Sequence, residues 1–593
     1  MSAVRSSPLA ALVGYYERLR ADPSKGVAEF GFSEEKIHFT VVIERTGSLA
    51  DAGLVDLRTP DARGKPIHKL MLVPDGGGRS GTALKPFFCW DNTGYTLGSD
   101  NKDKPARAKE MFAAFRDYHL AMRKEVGDDP GYAAVCRFLE KWNPTQAKSL
   151  PNWEEAAGKN VVFKLRGHEG YVHQSDAVMA AWRRRVEREV QAEGDALGMS
   201  LVSGEVEPLA RLHPLISGVA GANTMGAAIV SFNLDAFESH GRIQSYNSPV
   251  GIRDAFRYTT ALNKLLADRS RRVQVGDATV VFWTDRPEGV QFESEVAAFL
   301  GGQPVPDDAE SVETVRRVRS SLGTAKKGEP GDDLADASVP FYILGLSPNA
   351  SRLSVRYWMT GTVAQFRERL RQHADALEMI GARDDEPPLS IRRLLVETAR
   401  EPKDIPPNLA GEFTSAILEG LPYPRAVFAA ILRRIRADSG VNHARAAIIK
   451  AFMIRNLKQE VPVSLDKNHP NEAYHLGRLF AVLEKTQEDG SEGKLNSTIK
   501  DRYFSAASAT PGSVFPRLLR LHQHHMRKLE NPGLRISREK LMGEVFAQIT
   551  GFPSHHTMDR QGFFDVGYYH QRQDMFTKKS DTQDDSTKET TRG

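Results

Sequence analysis

Cysteine is nearly absent. Only Cys89 and Cys136 occur in 593 residues, which excludes a disulfide framework and a cysteine-based zinc ribbon. A reducing, cytoplasmic setting is the expectation. Long apolar runs are missing as well, since no stretch approaches the roughly 18 residues that span a bilayer. The first residues do not read as a secretory leader: Leu9, Leu12, Val13, Tyr16 and Leu19 recur at helical spacing, and Arg18 and Arg20 interrupt the apolar run. Net charge is small, because 80 Lys and Arg stand against 76 Asp and Glu to leave +4. Any site for a polyanion must therefore come from local clustering.

Familiar catalytic patterns are absent too. No Gly-x-x-x-x-Gly-Lys-Ser/Thr phosphate loop, His-Glu-x-x-His helix, Gly-x-Ser-x-Gly elbow or paired His-Asp of a metal phosphohydrolase occurs. Carboxylates are scattered. These gaps argue against an enzyme and predict neither cofactor nor metal. His522, His524 and His525 in "HQHH", with His555 and His556 later, have neither i, i+4 spacing nor Cys partners, so a solvated, partly cationic helix face is the expectation.

What is present is an ordinary globular composition, 40% hydrophobic and 26% charged, in a chain long enough for about two to four domains. Strand-like runs come first: "KIHFTVVIE" (36–44), "GLVDLR" (53–58) and "HKLMLVP" (68–74), consistent with an antiparallel meander. The glycine-rich "PDGGGRSG" (74–81) and a polar stretch (90–110) lead into a helix through "MFAAFRDYHLAM". A second helix is predicted over 176–192, then a polar-aromatic segment (231–268), a strand at 278–283, a helix near 291–300 and a polar loop at 321–338. "VPFYILGLSPNASRLSVRYW" predicts a hairpin in which Leu353, Val355 and Tyr357 share one face and Arg352, Ser354, Arg356 and Trp358 the other. From about residue 390 strand signals nearly vanish and amphipathic helical patterns follow one another with Pro, Asn and Gly between them. The predicted fold class is α+β: a mixed N-terminal region of antiparallel sheets and helices, then an all-α bundle. Its divisions are 1–210 and 211–389 (both α+β), a helical bundle at 390–576 and a disordered tail at 577–593.

Two regions suggest nucleic acid. The loop at 74–81 lets main-chain N–H groups approach a ligand and supplies donors from Arg79 and Ser80, while Lys85, Asn92, Lys102, Lys104 and Arg107 follow nearby. A mobile hairpin tip is the competing reading. Residues 421–460 carry Arg425, Arg433, Arg434, Arg436, Arg445, Lys450, Arg455 and Lys458 against Asp438 and Glu460, a local excess of +6. Such an excess can neutralise phosphates, or it can be a solvated helix face. The cluster Arg183, Arg184, Arg185 and Arg188 reads as a solvated face.

Several long strings, in order, carry a family resemblance: "LAALVGYYERL", "RSGTALKPFFCWDNTGYTLG", "SFNLDAFESHGRIQSYNSPV", "FYILGLSPNASRLSVRYW", "DRYFSAASATPGSVFPRLLRL" and "QGFFDVGYYHQRQDMF". The chain resembles the large subunit of the type I-C CRISPR Cascade surveillance complex almost end to end. His240 stands where an aromatic such as Tyr is expected. The resemblance implies a non-catalytic subunit that recognises the protospacer-adjacent motif in double-stranded DNA, promotes unwinding and R-loop formation, and helps recruit the helicase-nuclease. Implied partners are guide CRISPR RNA, target DNA, the backbone subunits, the guide 5′-end-binding subunit and small subunits, with no membrane. Residues 1–210 are the expected place of the flanking-motif site, with Arg79, Ser80, Lys85 and Asn92 as the candidate motif contacts and Lys102, Lys104 and Arg107 on phosphates; Gln244 and Asn247, in a loop before Pro249 in the next region, are second-rank candidates for a groove contact or a strand-splitting wedge. Arg433, Arg434, Arg436, Arg445, Lys450, Arg455 and Lys458 are the expected backbone contacts of the bundle, which resembles the small subunit. Met453 is a candidate internal translation start for it. The alternative is a guide-RNA-processing endonuclease with His570 as general base.

Overall fold

A computed structural model describes residues 7–61, 64–79, 82–102, 104–192, 196–301, 337–382, 389–491 and 497–576. The chain forms two compact units, one built from Leu9–Leu215 with Val230–Leu262 and the other from Ile216–Ile229 with the chain from Asn263 on. Ser80, the polar loop over 321–336 and the tail from 577 lie outside the described residues. The class is mixed as expected, with small sheets early and many helices late.

In the first unit a four-stranded sheet runs in the order Leu49–Asp56, Phe39–Ile43, Asn160–Leu165 and Trp90–Asn92. Its central pair is parallel, Phe39 opposite Val161 and Ile43 opposite Leu165, and its outer pairs are antiparallel. Phe39, Val41, Ile43, Phe163 and Leu165 cover one face and meet Phe115, Phe138 and Trp182 from helices Pro105–Val126, Pro130–Lys141 and Asp176–Ala192. On the other face Val162 and Trp90 meet Ile37, Met71 and Val73 of a separate ribbon, Phe32–Ile37 with Lys69–Pro74.

The run 36–44 is thus not one strand of a meander. It splits at His38, whose N–H bonds to the Asn160 carbonyl at 3.0 Å, and its halves join different sheets. The helix expected from the polar stretch begins at Pro105, where a missing N–H costs nothing. Within 231–268 only Ile252–Ala267 is α-helical.

In the second unit an antiparallel sheet runs Arg272–Val275, Ala278–Thr284, Pro340–Asn349 and Arg352–Thr362. The predicted hairpin forms, but a bulge lies in it: Tyr357 opposes Gly345 and Val355 opposes Leu346, so Arg356 is the extra residue. Alternation slips there, which leaves Tyr357 buried and Val355 exposed. A Cβ on Gly345 would meet the Tyr357 ring at 2.6 Å, which reserves that position for glycine. Phe282, Phe341 and Ile343 share one continuous core with Phe413, Phe428, Phe480 and Phe564 of the helices that follow.

Those helices include Pro407–Glu419, Arg425–Asp438, His443–Leu457, Glu472–Asp489, Ile499–Ala509, Pro511–Arg527, Pro532–Phe546 and Met558–Phe576. Asn442, Asn471 and Asn531 cap three of them through side-chain oxygens. Glu472–Asp489 and Met558–Phe576 cross at glycines. A Cβ on Gly477 would lie 2.8 Å from Phe564 C and Tyr568 N and closer still to Phe564 O, and a Cβ on Gly567 would lie 2.8 Å from Tyr474 C. Met453 sits mid-helix and is fully buried.

Candidate nucleic-acid interface

Past Pro74 the chain leaves the ribbon and turns. Asp75 accepts from the Gly77 N–H at 2.8 Å, and Gly77 takes φ +61, a left-handed value that favours glycine. A Cβ on Gly76 would fall within the Phe87 ring, and one on Gly77 would lie 2.9 Å from the Lys85 amine. The loop is therefore pressed against 85–87. Around Gly78 the space is open.

Arg79 fastens this arrangement. Its guanidinium is clasped between the rings of Phe87 (3.6 Å) and Tyr95 (4.1 Å), donates from Nε to the Lys85 carbonyl at 2.8 Å, and pairs through both terminal nitrogens with Asp91. Asp91 is buried, also accepts from the N–H groups of Phe87 and Asn92, and has its pKa raised by burial against the opposing pull of Arg79. Asn92 is committed as well. Its Oδ1 accepts from Gly94 N–H at 3.0 Å, and its Nδ2 donates to Asp91 at 3.1 Å. Both residues hold the loop, and their polar groups are engaged inside the unit.

Arg107, in the first turn of the Pro105–Val126 helix, donates to the Thr82 carbonyl and pairs with Glu110 at 3.0 Å. This ties the helix start to the loop. Lys85, Lys102 and Lys104 are exposed around that junction, and Lys104 occupies the N-cap without a side-chain hydrogen bond to the helix. The unit thus exposes three amines on segments next to the braced residues.

Gln244 and Asn247 lie in the loop 231–249. Gln244 takes φ +48 and accepts from Arg211 at 2.6 Å. Asn247 accepts from Ser239 N–H and donates to the carbonyls of Arg242 and Gln244 at 2.7 and 2.9 Å. Its amide is the internal brace of the loop.

The +6 stretch is distributed in an unexpected way. Arg445 is buried between Glu397 (2.8 Å) and Asp438 (2.6 Å), and Lys450 is buried and donates to the Ala376 carbonyl at 3.1 Å. Arg455 reaches the Leu421 carbonyl at 2.8 Å and lies over Tyr423. Arg434 pairs with Asp438, Arg436 donates to Gln561, and Arg425 faces Asp559 at 3.6 Å. Several of these cations meet carbonyls at or near the C-terminal ends of helices, where the macrodipole is negative. Arg433 and Lys458 are exposed. The earlier arginine cluster is paired in the same way: Arg183 with Glu29, Arg185 with Glu189, Arg188 with Glu125 and Arg184 with the Glu125 carbonyl. On the hairpin, Arg356 pairs with Asp277 at 2.6 Å.

The family of CRISPR-associated proteins designated Cas_Csd1 has a model that matches residues 12–576. The chain belongs to that family. No curated protein matches it. Membership makes it a CRISPR-associated, Cascade-type large subunit, in a family of Cascade subunits that are generally non-catalytic. No helix among the described residues is long and apolar enough to cross a membrane.

Two further features of this Cas_Csd1 chain bear on chemistry. His570, the general base of the alternative reading, is fully buried, with Nδ1 at 2.9 Å from the Tyr474 hydroxyl and Nε2 at 2.9 Å from the Met379 sulfur. Burial pushes its pKa down to about 4. Its contacts join three segments of the chain through Tyr474 and Met379. His522 is likewise buried, its pKa pushed down to about 4, and no group of three metal-ligating side chains gathers among the described residues.

The partly cationic face expected of this helix is present, though without His522. Arg517, Arg520, His524 and Arg527 are exposed at spacings of three and four, so they form one stripe on Pro511–Arg527. The i, i+3, i+7 spacing was the available signal.

Proposed function

We propose that this protein is the large subunit of a type I-C CRISPR surveillance complex. In this reading it recognises the short motif flanking a target in double-stranded DNA and starts the strand separation that lets guide RNA pair, while a partner helicase-nuclease does the cutting. The observation that carries the reading is the bracing of residues 74–79 against 85–87, with Lys85, Lys102 and Lys104 exposed near the helix start that Arg107 ties to Thr82. Three amines beside this brace neutralise phosphates. A lysine entering the minor groove meets the degenerate N3 and O2 acceptors there, so the sequence read would be short and permissive. Arg79 and Asn92 act by holding this brace. In the bundle, Arg433, Lys458 and the stripe Arg517, Arg520 and Arg527 are the proposed phosphate contacts for separated single-stranded DNA.

The test is the variant Lys85→Ala/Lys102→Ala/Lys104→Ala in the assembled complex. Motif-bearing duplex should bind at least about tenfold more weakly, and removing three phosphate contacts should flatten the logarithmic salt slope by about 2 to 3. Subunit composition should stay intact. Unaltered affinity and slope would dismiss the assignment.

A further inference from the structure

Residues 197–208 fold into a two-stranded antiparallel ribbon, Leu197–Met199 with Val206–Pro208, in which Val206 opposes Met199 and Pro208 opposes Leu197. Residues directly opposite in an antiparallel pair point to the same side, as do residues two apart in one strand. Leu197, Met199, Val206 and Pro208 therefore make one apolar face. It is bare: Leu197 is 68%, Met199 63% and Val206 70% exposed, and Leu201 in the turn is exposed as well.

The other side is anchored. Leu209 lies against Gly198, leaving no room for a Cβ there. Buried Ser200 donates to Asp254 at 2.8 Å and accepts from Gly251 N–H. Leu201 and Ala210 N–H groups bond to the carbonyls of Pro249 and Val250. An isolated two-stranded ribbon is marginal in water. This one is fixed in place with its apolar side outward, and a fixed apolar patch of that kind marks a contact surface.

Charge selects the occupant. Within the ribbon and its turn, 197–208, the charged residues are Glu205 and Glu207, with no lysine or arginine, a net −2. Arg211 is engaged with Gln244. A polyanion or an anionic lipid surface would be repelled. We infer that the apolar face of this ribbon docks another protein subunit of the same complex, one that presents an apolar contact rimmed by basic residues. The inference rests on membership of a multi-subunit assembly and is independent of which residues touch DNA.

The experiment mixes the full chain with the RNA-containing particle assembled from the remaining subunits and measures association by light interferometry. Met199→Glu/Val206→Glu should weaken association by at least about tenfold while leaving the melting temperature of the free chain unchanged, because both side chains already face water. Association equal to wild type would overturn the inference. Should the variant misfold, hydrogen exchange on the wild-type chain decides: amides of 197–208 gain protection on assembly if the ribbon docks, and unchanged exchange refutes docking. Concentration-dependent dimers of the wild-type chain that the variant abolishes would also overturn it, in favour of a second copy. The lysine variant above retains association and loses motif binding, so the two failures are distinguishable.

Discussion

Gly477→Ala is the sharpest test of the packing. In an exposed helix, Gly→Ala stabilises by up to about 1 kcal/mol, because alanine loses less backbone entropy. At Gly477 the new methyl would meet the backbone of the facing helix, 2.8 Å from Phe564 C and Tyr568 N, where real Cβ atoms essentially never come within 3.0 Å. Flexible side chains could yield, but helix backbone cannot without moving the helix. Relief requires Glu472–Asp489 and Met558–Phe576 to part by about 1 Å, and a gap of that size forfeits a quarter to a half of the contact attraction along the seam. Overpacking of this kind costs about 1–3 kcal/mol, and the lost seam contacts add to it. A net loss of about 3 kcal/mol follows, or roughly 4 °C in melting temperature for a unit of this size at about 2.1 cal/mol/K of unfolding entropy per residue. Gly543 supplies the control: it lies within the Pro532–Phe546 helix and a Cβ there would meet nothing within 4 Å. Calorimetry or urea unfolding of the two alanine variants should give shifts of opposite sign. Stabilisation by Gly477→Ala would refute the close crossing.

Three further outcomes are expected. Arg79→Ala strands the buried Asp91 carboxylate and should cost about 3–5 kcal/mol by urea titration, with Arg79→Lys failing to rescue because the pairing uses both terminal nitrogens; a change inside 0.5 kcal/mol would remove Arg79 from its bracing role. Arg445→Ala should destabilise the fold yet leave the salt slope of DNA binding unchanged, whereas Arg433→Ala should do the reverse, and a salt-slope change from Arg445→Ala would contradict its internal placement. Burial holds His119, His173, His213, His522 and His570 down near 4, against about 6.5 in an unfolded chain. The unfolded state then binds more protons between those values, so stability is full above pH 6.5 and drains away toward pH 4; a melting temperature flat across that window would sink this account.

Periodicity made much of the second unit readable. The helices 425–438 and 443–457 and the hairpin from Pro340 to Thr362 follow from apolar spacing and from caps such as Asn442. What periodicity does not hold is pairing between distant segments. Nothing local marks that Phe39–Ile43 lies parallel to Asn160–Leu165, or that His38 divides two sheets. The Arg356 bulge, too, is visible only from its partner strand. Charge has the same blind spot. The +6 of 421–460 counts cations whose partners are Glu397, Gln561, Asp559 and helix-end carbonyls, all brought in by tertiary structure. At the candidate site the sequence offered residue types that suit phosphate, but not which were already engaged: Arg79 and Asn92 are held by Asp91, while Lys85 faces water.

The crossing of Met558–Phe576 through the bundle bears on how the protein is made. Residues 561–571 are almost wholly buried, against helices that leave the ribosome earlier. Until that last segment emerges, the seam it fills stays open to water, so a nascent or prematurely ended chain carries a long sticky trough. Chaperone holding during synthesis, and rapid proteolysis of products cut short before residue 558, are the costs of placing a central strut so late in the order of translation.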